Sequence, residues 1–134
     1  MNDILKIMLV EDSPGDQELF KEAVKTTGMS ATVCVVSSAQ EAISQIFALR
    51  PDLIVMDIMM PGLSGDDFVD LLQNGPSGTS LFPIVFLTGK QIKDMFDMGF
   101  PNEIQINGKN YPLLSKPADA LMLKEIISKL VIKR

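Results

Sequence analysis

The chain has 134 residues, a net charge of -5 and an apolar fraction of 46%. That length suits one domain with a sizeable core, and the apolar fraction argues against intrinsic disorder. The acidic balance argues against nucleic acid or an anionic membrane as a partner. The chain has no histidine, which excludes His-based nucleophile pairs, His-ligated metals and imidazole bases. Its single cysteine, Cys34, excludes an intramolecular disulfide and a Cys-cluster zinc site.

Targeting signals are missing from this sequence. The first residues lack the basic flank of a signal peptide, and no apolar run approaches the roughly 20 residues of a membrane span. We therefore expect a cytoplasmic protein without a membrane partner. Cys34 lies in an apolar run, which predicts a small core residue and argues against a redox role.

Short apolar runs that predict strands alternate with amphipathic stretches that predict helices. The first helix has Ser13 as N-cap, Pro14 at its first position and Gly28 to close it. Its predicted buried residues are Leu19, Phe20, Ala23 and Val24. The strands are predicted at Leu5–Val10, 32–36, 53–56 and 84–87, with a fifth centred on Leu113 and Leu114.

Four more helices complete the pattern. Ser38 and Glu41 form a capping-box signature for the second. The third is predicted at 66–73 and a short fourth at about 91–98. The second helix is predicted to bury Ala42, Ile43, Ile46 and Phe47, and the last Leu123, Ile126, Ile127, Leu130 and Val131.

Strands and helices in strict alternation predict an α/β fold with a parallel sheet that is covered on both faces. Right-handed crossovers leave few topologies, of which the flavodoxin-like, doubly wound order 2-1-3-4-5 with five strands and five helices fits best. In such a fold, ligands bind at the carboxyl ends of the strands.

Polar residues follow four of the predicted strands at these carboxyl ends. Glu11 and Asp12 follow the first strand and Asp57 the third, while Thr88 ends the fourth and Lys116 follows the fifth. Three clustered carboxylates are costly unless a cation compensates them, and a hard divalent ion such as Mg²⁺ suits oxygen ligands. A carboxylate can also act as a nucleophile and form an aspartyl phosphate. Phosphoryl transfer needs mainly positioning and charge neutralisation, so it requires no histidine in this chain.

The same residues lie in stretches that resemble the receiver domain of two-component response regulators. The resemblance runs in order through nearly the whole chain, and no single stretch is decisive. The matching stretches are 9–13 (LVEDS), 57–65 (DIMMPGLSG), 88–89 (TG) and 115–117 (SKP).

The resemblance implies a role for each site residue. Asp57 would accept a phosphoryl group from the phosphohistidine of a sensor histidine kinase or histidine phosphotransfer protein. Asp12, Asp57 and the backbone carbonyl of Met59 would bind Mg²⁺, with Mn²⁺ as an alternative, and Glu11 would act through a metal-bound water or hold the cluster. Thr88 and Lys116 would bind phosphoryl oxygens.

Around the lysine and the strand-3 loop, the resemblance assigns shaping roles to prolines and a glycine. Pro117 would follow a cis peptide bond that aims Lys116 into the site, while Pro61 and Gly65 would shape the loop after Asp57. One family feature is missing: receivers usually carry Tyr or Phe three residues before the lysine, where this chain has Leu113. Tyr111 lies five residues before Lys116, so the standard Thr/Tyr switch is in doubt.

An insertion at about 100–111 precedes the fifth strand. Asn107 and Gly108 are a type I′ turn signal, and Ile104 and Ile106 alternate before it. This pattern predicts a small projecting β-hairpin, and the resemblance implies that the hairpin modifies the partner-binding face. The alternative is a surface insertion without function.

The resulting prediction is a single receiver domain over residues 1–134 without an output domain, whose output is contact with a downstream protein effector. It would be a monomer or a phosphorylation-dependent homodimer, with no direct nucleic-acid partner and no enzymatic turnover beyond its own phosphorylation and slow dephosphorylation. One alternative is a receiver-fold interaction module that is never phosphorylated. Another is an aspartate-nucleophile phosphatase, although Met59 stands where such enzymes need a second acid.

Overall fold

The computed structural model describes residues 4–58, 67, 82–89, 103–106, 109–116 and 118–131. The strands in these ranges are β1 (Leu5–Val10), β2 (Ala31–Val36), β3 (Leu53–Asp57), β4 (Ile84–Thr88), β5 (Glu103–Ile106) and β6 (Lys109–Ser115). The helices are α1 (Pro14–Thr27), α2 (Ala39–Leu49) and α3 (Ala120–Val131). The helices predicted at 66–73 and 91–98 lie outside the described residues, apart from Asp67, whose backbone is helical.

The strands form one mostly parallel sheet in the order β2-β1-β3-β4-β6-β5. Because β6 is the predicted fifth strand, the predicted order 2-1-3-4-5 is confirmed for the parallel strands. The prediction of exactly five strands is wrong, since β5 adds an antiparallel sixth strand at the edge. The parallel register pairs Val10 with Val36 and Met56, so β1, β2 and β3 end at the same level.

The insertion does form a β-hairpin, with Ile104 opposite Tyr111 and Ile106 opposite Lys109. The turn residues 107–108 lie outside the described part of the chain. The second strand of the hairpin continues without interruption to Ser115, which pairs with Thr88 of β4. The hairpin is therefore an extension of the central sheet, whereas the sequence suggested a separate projection.

Both predicted helix starts are confirmed by their caps. The Ser13 hydroxyl accepts a hydrogen bond from the Asp16 amide at 3.4 Å, and the Ser38 hydroxyl accepts one from the Glu41 amide at 3.1 Å. At the other end of α1, Gly28 has φ 78°, a left-handed conformation that glycine adopts without strain. These caps fix where α1 begins, which matters because α1 begins at the carboxyl edge of the sheet.

Helices pack on both faces of the sheet and bury two apolar layers. The α3 stripe is confirmed, since Leu123, Ile126, Ile127 and Val131 are buried and Leu130 packs against them. Three predicted core residues are instead exposed: Leu19 to 49%, Phe47 to 47%, and Cys34. Leu19 and Phe47 each lie one position to the side of a buried stripe, around Phe20 and Ile46. Cys34 lies on an edge strand, where only Val36 of the same face is buried in the core.

Candidate functional site

Four strand ends meet at the carboxyl edge of the sheet. The hydrogen-bond ladder continues beyond the strands there, because the amide of Glu11 donates to the Val36 carbonyl at 3.0 Å. The amide of Lys116 likewise donates to the Thr88 carbonyl at 2.9 Å. These backbone hydrogen bonds fix the positions from which the side chains of the predicted site residues Glu11 and Lys116 extend.

Lys116 connects these strand ends through its ammonium group. Its Nζ lies 2.8 Å from Asp57 Oδ2, 2.7 Å from Glu11 Oε1 and 2.9 Å from Asp16 Oδ2. Only 15% of the lysine side chain is exposed, so its ion pairs with the buried side chains of Glu11 and Asp57 are shielded from water. Lys116 and Asp57, which the sequence places at the ends of two different strands, therefore lie in direct contact.

Glu11 is anchored by the loop and helix that follow it. Its Oε2 accepts a hydrogen bond from the Ser13 amide at 3.1 Å, and the Gln17 side-chain amide donates to its backbone carbonyl at 2.7 Å. Its other oxygen, Oε1, is buried and has no aligned hydrogen bond among the described residues, although it is in ionic contact with Lys116. A buried carboxylate oxygen with spare acceptor capacity is costly unless a cation satisfies it.

The same edge offers ligands for a divalent cation. One carboxylate oxygen each from Glu11, Asp12 and Asp57 lies within 4.8 Å of the others. Glu11 and Asp57 are buried, while Asp12 is exposed. Clustered carboxylate oxygens are the donors that Mg²⁺ prefers, so the residues fit this ion. The predicted carbonyl ligand, Met59, lies outside the described residues.

The electrostatics of the site reflect the excess of acids. Burial raises the pKa of Glu11 above its ordinary value of 4.5, and its contacts with Lys116 and the Ser13 amide only partly offset that effect. Burial alone would lower the pKa of Lys116, but its contacts with Asp57, Glu11 and Asp16 outweigh burial and raise this pKa. The lysine is therefore held in its charged form and one acid is poorly compensated, a balance that favours an additional cation.

Thr88 is fully buried at the end of β4, opposite Ser115 of β6. The neighbouring residues Pro61, Gly65 and Pro117, for which the resemblance implies shaping roles, lie outside the described residues.

The position of the usual switch aromatic is filled by Leu113, which is 1% exposed. The nearest aromatic on the same strand, Tyr111, is also buried, and its ring packs edge-on against Phe86 at a centroid distance of 5.7 Å. Burial raises the pKa of the Tyr111 hydroxyl. The aromatic ring of this strand thus belongs to the core beneath the site.

Asp16 is the site residue that the sequence did not reveal. It is an acid in the first turn of α1, where acids commonly stabilise the helix N-terminus, so its position along the chain does not point to a site. Its contact with Lys116 spans 100 positions in the sequence. A signal was available in the topology, since α1 starts at the carboxyl edge of β1 and its first turn faces the same rim.

Within the described ranges, no helix is long and apolar enough to cross a membrane.

The chain is similar to known proteins in sequence and in fold. Residues 7–128 match the family model described as the response regulator receiver domain. The chain is 33% identical over 85 residues to the DNA-binding response regulator MtrA of Mycolicibacterium smegmatis, covering 63% of this chain and 35% of that protein. It is 28% identical over 134 residues to the response regulator Rre1 of Synechocystis, covering the whole chain and 54% of that protein. The chain thus spans about a third to a half of these two relatives.

Among solved structures, the chain superposes on the receiver domain of the sensor histidine kinase PA1611 from Pseudomonas aeruginosa with a TM-score of 0.71. Sequence identity is 23%, over 96% of this chain and 98% of that one. That structure has a magnesium ion coordinated in its active site cleft. At this identity the similarity shows the shared fold.

Proposed function

The chain belongs to the response regulator receiver domain family, and on that premise we propose that it is a Mg²⁺-dependent phosphoacceptor of a two-component or phosphorelay system. A sensor histidine kinase or histidine phosphotransfer protein would supply the phosphoryl group, and Asp57 would receive it. The observation that supports this most directly is the contact of buried Asp57 with Lys116 at 2.8 Å, within reach of two further carboxylates.

The reaction needs one nucleophile and a balanced charge. An oxygen of the Asp57 carboxylate attacks the phosphorus of the phosphohistidine, an O–P bond forms, and the N–P bond breaks. The imidazole nitrogen leaves with the bonding electron pair and takes a proton. The absence of histidine in this chain fits this division, in which the partner carries the imidazole.

The chain's own groups orient and neutralise the phosphoryl oxygens. The ammonium of Lys116 already contacts the Asp57 carboxylate. Once Asp57 is phosphorylated, this ammonium can donate a hydrogen bond to a phosphoryl oxygen and neutralise its charge. The hydroxyl of Thr88, at the neighbouring strand end, can donate to another. Glu11, Asp12 and Asp57 would hold Mg²⁺, which supplies positive charge for the phosphoryl oxygens when bound. Met59 would add its backbone carbonyl.

Phosphorylation would then bias an equilibrium between two conformations and change which proteins the domain contacts. We propose a downstream protein as the target and a cytoplasmic location, with a monomer or a phosphorylation-dependent homodimer as the assembly. The relative MtrA is described as DNA-binding, so the proposed absence of nucleic-acid binding concerns this receiver domain alone.

The test is phosphorylation by a small donor. We expect the protein to form a phosphate adduct with acetyl phosphate and Mg²⁺, seen by intact mass, and Asp57→Asn to abolish it. Asp52→Asn is the matched control, because Asp52 precedes the opposite end of the same strand, where its side chain accepts a backbone hydrogen bond from Lys6. Removal of Mg²⁺ with a chelator should prevent adduct formation in the wild-type protein and in this control.

The other outcomes identify the alternatives. Leu113 in place of the switch aromatic is the observation that favours a phosphorylation-independent interaction module. That function would be supported if neither small donors nor phosphohistidine proteins gave an adduct. Steady turnover of phosphate esters would instead indicate an aspartate-nucleophile phosphatase.

A further inference from the structure

Asp16 adds a third carboxylate to Lys116. The carboxylates of Asp57, Glu11 and Asp16 lie 2.8, 2.7 and 2.9 Å from its Nζ. A lysine ammonium has three N–H donors and no more. Three carboxylates therefore already surround the group that the phosphoryl oxygens need.

The three carboxylates differ in how freely they can release the lysine. The Glu11 side chain is 1% exposed and tied to the loop after β1, and the Asp57 side chain is 7% exposed and is the proposed acceptor. The Asp16 side chain is 35% exposed, so water can replace the lysine as its partner. Of the three carboxylates, Asp16 therefore loses the least interaction free energy when the ammonium moves away.

A phosphoryl group on Asp57 brings new anionic oxygens to the same ammonium. Asp16 affects the phosphorylated form in two ways. It accepts a hydrogen bond from Lys116, and its own negative charge lies on the rim of the site. Both effects oppose an anion bound at Asp57.

We propose that Asp16 is a positioning residue that competes with the phosphoryl group on Asp57 for the ammonium of Lys116, and so weakens anion binding there. The inference rests on the proposed function, since it concerns the same site. It assigns Asp16 no contact with the reacting phosphorus. Its role is to set how tightly Lys116 holds the phosphorylated form.

The experiment measures an equilibrium and needs no turnover. Beryllium fluoride binds to a carboxylate oxygen as a tetrahedral anion that imitates a phosphoryl group. We expect Asp16→Asn to bind beryllium fluoride about tenfold more tightly than the wild-type protein at saturating Mg²⁺, measured by titration calorimetry. A tenfold change corresponds to about 1.4 kcal/mol.

The matched control is Glu18→Gln. Glu18 lies on the same helix and loses the same charge, but its only ion pair among the described residues is with Lys21 at the surface, at 3.4 Å. Its affinity should stay within about twofold of the wild type. Asp16→Glu keeps the charge and should restore most of the wild-type affinity. Thermal melting without beryllium fluoride separates any loss of helix stability from the change in affinity.

The negative results have different meanings. If the wild-type protein binds beryllium fluoride but Asp16→Asn binds it equally or more weakly, the inference about Asp16 is wrong and the proposed function stands. An equal gain in Glu18→Gln would also overturn it, because the effect would then be general charge. If the wild-type protein neither binds beryllium fluoride nor forms a phosphate adduct, the proposed function and the inference fail together.

Discussion

The middle of each central strand and its carboxyl end are equally buried and yet chemically opposite. In β3, residues 53–56 are apolar and 0% exposed, and the next residue, Asp57, is an acid that is 5% exposed. In β4 the apolar residues 84–87 lead to Thr88 in the same way. Burial of the strand centres stabilises the fold at roughly 25 cal/mol per Å² of apolar surface. Burial of the acids costs free energy, which ion pairs with Lys116 offset only in part.

This difference shows that the centres of the strands stabilise the fold, whereas their carboxyl ends are suited to binding a ligand. The core of the sheet holds β1, β3, β4 and β6 in register, and that register brings the acids together. At the edge, within the part of the chain that the structure describes, Lys116 contacts three acids. Because the acids at this edge outnumber the lysine that contacts them, an added cation would stabilise the edge. The apolar core would gain nothing from a cation.

The largest effect should come from the core. Phe86→Ala removes a fully buried ring that packs edge-on against Tyr111, and we expect a loss of about 3–5 kcal/mol in the free energy of unfolding. Denaturant titration measures it. Leu121→Ala is the control, because Leu121 is 78% exposed and its loss should change stability by less than about 0.5 kcal/mol. Equal losses for both variants would contradict the assignment of the core.

The next effect should come from Lys116 at the carboxyl edge. Lys116→Met removes the ammonium that contacts the buried carboxylates of Glu11 and Asp57, and we expect a loss of about 3 kcal/mol in the free energy of unfolding in Mg²⁺-free buffer. Added Mg²⁺ should recover part of it, which a core variant cannot do. In Lys21→Met, the control, only a surface ion pair is lost, so its stability should hardly change. Insensitivity of Lys116→Met to Mg²⁺ would argue that the acids do not bind the ion.

The smallest expected effect is a gain in stability. It tests most directly whether the carboxyl edge differs from the core. Glu11→Gln removes a poorly compensated buried charge, and we expect it to raise the free energy of unfolding by about 1 kcal/mol at pH 7 without Mg²⁺. A core substitution that stabilised the protein in this way would be exceptional.

The pH dependence of this effect follows from the raised pKa of Glu11. A raised pKa means that the folded protein binds this proton more tightly than the unfolded chain does. The contribution of Glu11 to stability is therefore fully present below pH 4.5 and is lost as the pH rises through the raised pKa. Glu11→Gln should remove that decline from Mg²⁺-free unfolding curves recorded across pH. An identical slope in the wild type and the variant would show that Glu11 is not its source.

Local chemistry made much of this fold readable from the sequence. Ser13 and Ser38 cap their helices as predicted, because a cap depends on residues only three positions apart. The carboxyl ends of the central strands also fell within one residue of the predicted positions, because each apolar run stops at a polar residue. Residues at the margin of a helical stripe were less predictable, and both Leu19 and Phe47 are exposed. Whether a marginal position is covered depends on the neighbouring element, which helical periodicity does not specify.

The sequence by itself determined the alternation of strands and helices, the parallel strand order and the acids, threonine and lysine of the candidate site. Each of these depends on short spacing or on rules of chain connection. Only the tertiary structure decided that β5 extends the sheet, that Cys34 is exposed on its edge strand, and that Asp16 contacts Lys116. Those features depend on which elements become neighbours, and a contact between residues 100 positions apart leaves no local pattern in the chain.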